Sequence, residues 1–180
     1  MTSFHHVCFV VPDNERSLRD FRRAAGTGWS EPVSDRLGDR DHRIVFTTGG
    51  PPFIELVEGP PGSPWDASGG ARFDHIGCWS SDVRDGSRRL AEQGLPEDFS
   101  GCPYGRPFAC HRMDSIGARG ELVDVGRQAA FLDAWHPGGG PMPAVDETSR
   151  GRPRRSRART LRRSAGRACR PGRAVRRCRG

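Results

Sequence analysis

Apolar residues in this chain fall in short runs, separated by clusters of Pro, Gly, Asp and Asn. Phe4 to Val11 is apolar and β-branched and reads as a buried strand. Pro12-Asp13-Asn14 ends it. Asp13 or Asn14 can then cap a helix from Glu15 to Ala25, with Leu18 and Phe21 on one side and Gly26 as the stop. Trp29 to Asp41 is polar and predicts a loop or a short strand. His42 to Thr48 and Phe53 to Val57 read as a hairpin turned at Gly49-Gly50-Pro51-Pro52. Glu58 to Gly70 is rich in Pro and Gly and predicts a linker. The order then repeats. Arg72 to Ser80 is a strand, Asp82 starts a helix that Gly94 ends, and Leu95 to Pro107 is a loop. Phe108 to Asp114 and Gly120 to Val125 are strands about a turn at Ser115 to Arg119. Ala129 to Trp135 is a short amphipathic helix, and Gly138-Gly139-Gly140-Pro141 ends the ordered body.

The repetition holds in register. At a single offset of 69 residues, Phe4 falls on Phe73, His6 on His75, Val7 on Ile76, Asp13 on Asp82 and Arg19 on Arg88. Self-similarity at a fixed offset marks a duplicated unit. Each half is a strand, a helix, then two or three strands, which leaves an open, curved sheet with an exposed concave face. Pairing two such sheets buries their edges and builds a cleft between them.

A second echo carries the chemistry. Ile54-Glu55-Leu56-Val57 matches Gly120-Glu121-Leu122-Val123, so each half supplies a His on its first strand and a Glu on its last. A carboxylate inside an apolar strand is costly if buried without a partner. One divalent cation shared by His6, Glu55, His75 and Glu121 accounts for both carboxylates. Mixed imidazole and carboxylate ligation suits Zn, Fe, Ni, Co or Mn better than Ca or Mg. Alternation along the strands puts Phe4, His6, Cys8 and Val10 on one face, with Phe53, Glu55 and Val57 likewise together. His5 then faces the other way and matches Asp74, so His6 is the expected ligand. The competing reading keeps both His as satisfied core residues and both Glu as solvent-facing edge positions.

The segments around His6, Glu55, His75 and Glu121, each in its Phe/Ile/Leu/Val setting, resemble the vicinal-oxygen-chelate superfamily over roughly residues 4–137. That superfamily includes glyoxalase I, methylmalonyl-CoA epimerase, extradiol dioxygenases, fosfomycin-modifying enzymes and bleomycin-binding resistance proteins. The pattern looks most like the glyoxalase/epimerase branch. The resemblance implies an α+β fold in which two paired βαβββ modules, about 4–59 and 71–126, form a curved mixed sheet around a cleft. It also implies that His6, Glu55, His75 and Glu121 are the metal ligands. The implied activity is a metal-dependent isomerase, epimerase or glyoxalase-type lyase that removes a proton α to a carbonyl of a small molecule. Glu121 is the favoured base and Glu55 the other candidate. A small-molecule (antibiotic) sequestering protein is the alternative, and an extradiol-type dioxygenase ranks third. Arg43, Tyr104, Arg106, His111 and Arg112 are weaker candidates for holding an anionic substrate.

Charge divides the chain. Residues 1–149 carry 15 arginines against 22 acidic residues, a net charge of −7, while residues 150–180 hold 14 arginines and no acid. The expected organisation is a domain over 1–137, a Gly/Pro linker over 138–148 and a disordered basic tail over 149–180. A nucleic-acid partner for the tail is disfavoured against a plain extension. The six cysteines show no CxxC spacing. No secretory signal or membrane span is legible, so the expectation is a reduced, cytoplasmic protein. One chain holds both modules and could complete a site alone, and a homodimer is also admitted.

Overall fold

The computed structural model describes residues 4–146. Their order is β1 (Phe4–Val10), α1 (Asn14–Ala25), β2 (Val33–Leu37), β3 (Arg40–Phe46) and β4 (Phe53–Glu58). Then come β5 (Arg72–Ser80), α2 (Val83–Glu92), β6 (Glu97–Ser100), β7 (Phe108–Met113), β8 (Ala118–Asp124) and α3 (Gln128–Trp135). The expectations for the arginine-rich segment 149–180 lie outside the described residues.

The eight strands form one sheet in the order β2-β3-β4-β1-β5-β8-β7-β6. β1 with β4 and β5 with β8 are parallel, and every other neighbouring pair is antiparallel. Two βαβββ units therefore meet through β1 and β5, as the repeat implied. Asp13 caps α1 by accepting from the Arg16 backbone N–H, and Asp82 caps α2 by accepting from Asp85, both at 2.9 Å. Such caps each contribute about 0.5–2 kcal/mol. Helices α1 and α2 cover the convex face. Leu18 of α1 packs with Val11, Trp29, Val45 and Leu56, while Val83 of α2 packs with Ala109 and Leu122. The alternate strand residues face the concave side.

Two edge strands, β2 and β6, were not separated from loops in the sequence. Their residues are mostly exposed or half-buried, so no apolar alternation marks them. The expected linker at 58–70 is an ordered loop. Asp66 accepts from the backbone N–H groups of Gly62 and Ser68, both at 2.8 Å. Arg72 donates to the Pro64 carbonyl at 2.8 Å, and Trp65 is buried against the barrel interior. The stretch 138–146, read as linker, likewise folds back on the body. Gln128 exchanges two hydrogen bonds with the backbone of Met142, Asp146 accepts from the Ser81 backbone N–H, and Ala144 is fully buried.

The open ends of the sheet meet across the mouth of the cleft. Arg106 donates to both carboxylate oxygens of Asp35, at 2.9 and 2.7 Å. The Tyr104 ring lies so close over Gly38 that a Cβ there would collide with it. Among the described residues, no helix is long and apolar enough to cross a membrane.

Candidate metal centre

β1, β4, β5 and β8 are the four central strands, and each brings one side chain to a common centre in the cleft: His6, Glu55, His75 and Glu121. His6 Nε2 and His75 Nε2 are 2.8 Å apart. Glu55 Oε2 stands 3.1 Å from the first and 3.2 Å from the second. Glu121 Oε2 is 3.4 Å from each. The structure thus brings together all four residues expected from the repeat. Donor atoms of His6, His75 and Glu121 all lie within 4.8 Å of one another, a buried triad compatible with a divalent metal. Glu55 is nearer still to both imidazoles, yet its Oε2 has no partner in hydrogen-bond geometry. First-row cations hold imidazole and carboxylate donors at about 2.0–2.2 Å, so donors around one ion sit about 3.0–3.5 Å apart. The donor set fits such a group.

Packing leaves His6 little choice of position. Gly77 pairs with it across β1 and β5, and any Cβ on Gly77 would collide with the imidazole. That explains the glycine in Phe73-Asp74-His75-Ile76-Gly77.

Alternation fails at two residues. The β1–β5 register skips between Phe4 and His6, and again at Asp74, so His5 and Asp74 are the extra residues of two β-bulges. His5 was expected on the far face, but the bulge turns it into the cleft lining beside His6. Its Nδ1 lies 3.1 Å from His6 Nδ1. Asp74 Oδ2 lies 2.9 Å from His75 Nδ1. Asp74 also accepts from Arg119 at 3.2 Å and from Arg72 at 3.3 Å. Each imidazole is therefore held at Nδ1 by the residue before it, leaving Nε2 for the centre.

The electrostatics follow from this crowding. Burial alone would lower the His6 imidazole, but Glu55 and Glu121 outweigh it and raise His6 above its ordinary value. Burial also opposes the rise of His75, yet Cys8, Glu121 and the Asp74 hydrogen bond lift it well above its ordinary value. Burial works against both carboxylates. The two imidazoles nonetheless hold Glu55 well below the usual range and bring Glu121 to about 2. Cys110 offers its thiol to Glu121 Oε1 at 3.9 Å, a weak contact.

The weaker substrate candidates divide. Arg106 lines the cleft, already paired with Asp35. Arg43 lies outside it, between Glu15 and Glu58. Tyr104 is exposed at the rim, and Arg112 pairs near Asp114. His111 follows Cys110 by one residue and so faces away. It is buried, with Ser87 Oγ at 2.8 Å from Nε2 and the Leu95 carbonyl at 2.8 Å from Nδ1. The cleft measures about 360 Å³, and its walls are aromatic: Phe46, Trp65, Trp79, Phe99, Phe108, Phe131 and Trp135. Sequence reasoning missed Trp65, Trp79 and Phe131 as lining. Trp79 shares a face with His75 and Gly77 on β5, so strand period could have placed it, but nothing in that period predicts that the loop of Trp65 or the helix of Phe131 turns over the cleft.

Comparison with known proteins decides the family. Residues 5–108 match the profile of the glyoxalase/bleomycin resistance protein/dioxygenase superfamily. The chain belongs to this superfamily. Structures of its fold include methylmalonyl-CoA epimerase from Mycobacterium tuberculosis, at TM-score 0.53 and 19% identity over 68% of this chain and 87% of that one. A variant of the Streptomyces coelicolor epimerase bound to 2-nitronate-propionyl-CoA superposes at TM-score 0.52 and 17% identity, over 69% of this chain and 97% of the other. A methylmalonyl-CoA epimerase in complex with methylmalonyl-CoA and NH4+ gives the same score and identity, over 69% and 94%. At these identities the likeness shows the superfamily's fold alone. A search of curated proteins finds no significant match.

Proposed function

We propose that the cleft holds one divalent first-row transition metal ion on His6, Glu55, His75 and Glu121, and that the protein is an isomerase, epimerase or glyoxalase-type lyase. The observation that carries this reading is the convergence of His6 Nε2, Glu55 Oε2, His75 Nε2 and Glu121 Oε2 from four central strands. When bound, such a cation supplies a Lewis acid for negative charge developing on a carbonyl oxygen. The chain's own residues do the rest. Glu121 is the base that takes a proton from the carbon beside that carbonyl. It stands farther from both imidazoles than Glu55 does, and its other oxygen rests on the Cys110 thiol. It therefore moves at smaller cost than Glu55. The aromatic walls exclude water from the reacting carbon, and Asp74 and His5 keep the two imidazoles oriented.

A small-molecule sequestering protein is the second reading, favoured by the aromatic enclosure of the cleft. A dioxygenase reading is weaker, because Glu55 adds a fourth protein donor where two His and one carboxylate suffice. Metal analysis after saturation with Ni, Co, Mn or Zn is the deciding experiment. About one ion per chain is expected, with loss in His6→Ala and Glu121→Ala. Wild-type protein that binds none sinks the enzyme reading and leaves the sequestering one. With a metal present, deuterium exchange into a carbonyl substrate without oxygen uptake marks the isomerase class.

A further inference from the structure

His5 and Trp79 are stacked rings in the wall of the cleft, 4.0 Å between centroids and inclined by 12°. Both are almost fully buried, and each carries a ring nitrogen without a hydrogen-bond partner among the described residues: His5 Nε2 and Trp79 Nε1. A buried donor left unpaired costs about 1–3 kcal/mol. Two on adjacent rings of one wall are a pair of unmet bonds in a place built to receive a ligand.

The chain of hydrogen bonds fixes which His5 nitrogen carries the proton. This step rests on the metal-centre reading above. A His6 that offers its Nε2 lone pair to a cation must carry its proton on Nδ1. That proton points at His5 Nδ1, 3.1 Å away, which therefore accepts. The remaining His5 proton sits on Nε2. The nitrogen without a partner is thus an N–H donor, as the indole nitrogen of Trp79 always is.

We infer that His5 Nε2–H is a donor subsite that binds an oxygen acceptor of the ligand, with the indole N–H of the stacked Trp79 a second unpaired donor. The surroundings restrict that ligand. The cleft cations Arg106 and Arg119 are already committed, the first to Asp35 and the second to Asp74 and Asp98. Arg127, the remaining arginine of the lining, is exposed. Phe131 stands edge-on to both rings of the subsite. The inner cleft therefore suits a small, apolar or planar molecule whose oxygens are gathered at one end. An extended polyanionic conjugate finds no uncommitted cation in the inner wall.

Two measurements on the zinc-loaded full chain test this. Long-range 1H–15N correlation spectra report the His5 tautomer, and Nε2–H with a bare Nδ1 is expected. Affinity for acetohydroxamate, a small two-oxygen chelator, is then compared in wild type, His5→Phe and His5→Gln. His5→Phe keeps a ring against Trp79 but has no donor, and binding should weaken about five- to tenfold. His5→Gln restores a donor and should recover part of the loss; all three proteins are saturated with zinc, so that a weaker hold on zinc from the lost His6 Nδ1 acceptor is read separately from ligand affinity. An Nδ1–H tautomer, or equal affinity in wild type and His5→Phe, overturns the inference. A zinc-saturated His5→Gln that binds no better than His5→Phe also overturns it, by making His5 only a support for His6. Wild-type protein that takes up no zinc defeats the metal reading itself and this inference with it. Zinc uptake without a His5 effect defeats this inference alone.

Discussion

Asp74 occupies in the second module the place that His5 occupies in the first. Each is the extra residue of a bulge on its strand, and each touches Nδ1 of the imidazole that follows it. The duplication has kept the geometry and changed the chemistry, setting a carboxylate behind His75 and a neutral ring behind His6. The His5 imidazole is pushed down to about 2, first by burial and then by His6, so it stays uncharged.

The carboxylate makes His75 the more basic donor. Asp74→Asn should raise the metal dissociation constant about 10- to 100-fold, the usual cost of losing such a partner. Competition with a fluorescent chelator measures it. An unchanged constant would show that the hydrogen bond does not orient His75.

Gly77→Ala should abolish metal binding, although it adds only one methyl group. The new Cβ meets the His6 ring, so the imidazole must leave its position between Glu55 and Glu121. Metal content and thermal unfolding together check this. Retained stoichiometry would mean that β5 can shift away from β1.

pH should act in opposite senses on the metal-free and loaded protein. Without metal, His6 and His75 are raised from 6.5, so their contribution to stability is complete below that value and fades as pH climbs through the raised values. Glu121 is lowered from 4.5 to about 2, so its contribution is present above 4.5 and is lost as pH falls toward 2. Metal-free protein should be most stable between those limits. Ligation needs neutral imidazoles, so the rise in Tm on adding zinc should grow from about pH 6 to about pH 8.5. Thermal melts with and without zinc across that range test the crossing trends.

Glu121→Gln should keep part of its metal affinity and lose proton exchange, whereas Glu55→Gln should lose more affinity, since Glu55 is the nearer donor. Exchange rate and metal content measured on both variants separate the roles. The opposite pattern would make Glu55 the base.

Ending the chain after residue 148 should leave Tm and metal content unchanged, because every donor and lining residue precedes it. Ending it after residue 137 should lower Tm, because it removes the Gln128–Met142 bonds, buried Ala144 and the acceptor for Ser81. Equal melting temperatures for the two truncations would show that 138–146 contributes nothing.

The convergence of His6, Glu55, His75 and Glu121 was legible because duplication wrote each residue type twice: His6 with His75, and Glu55 with Glu121. One copy of such a residue says little, and two in register point to a shared place in the fold. His5 was misplaced because a strand period of two assumes an unbroken ladder, and the bulge is a property of paired backbones that neither strand reveals alone. His111 was offered to the substrate as a polar residue, but its partners, Ser87 and the Leu95 carbonyl, lie 24 and 16 residues away in the chain. Trp65 was assigned to a linker because Pro and Gly surround it, while its burial depends on a wall supplied by Phe99 from the other module.

The four donors are divided evenly, one imidazole and one carboxylate from each half. Neither half can assemble the set alone. A cation held by His6 and Glu55 together with His75 and Glu121 would act as a cross-link between β1 and β8. It would close a long loop of polypeptide as a disulfide does, in a protein with no disulfide among its described residues. Its binding energy is spent on the seam between β1 and β5. In the loaded protein, amide hydrogens along that seam should be the last to exchange.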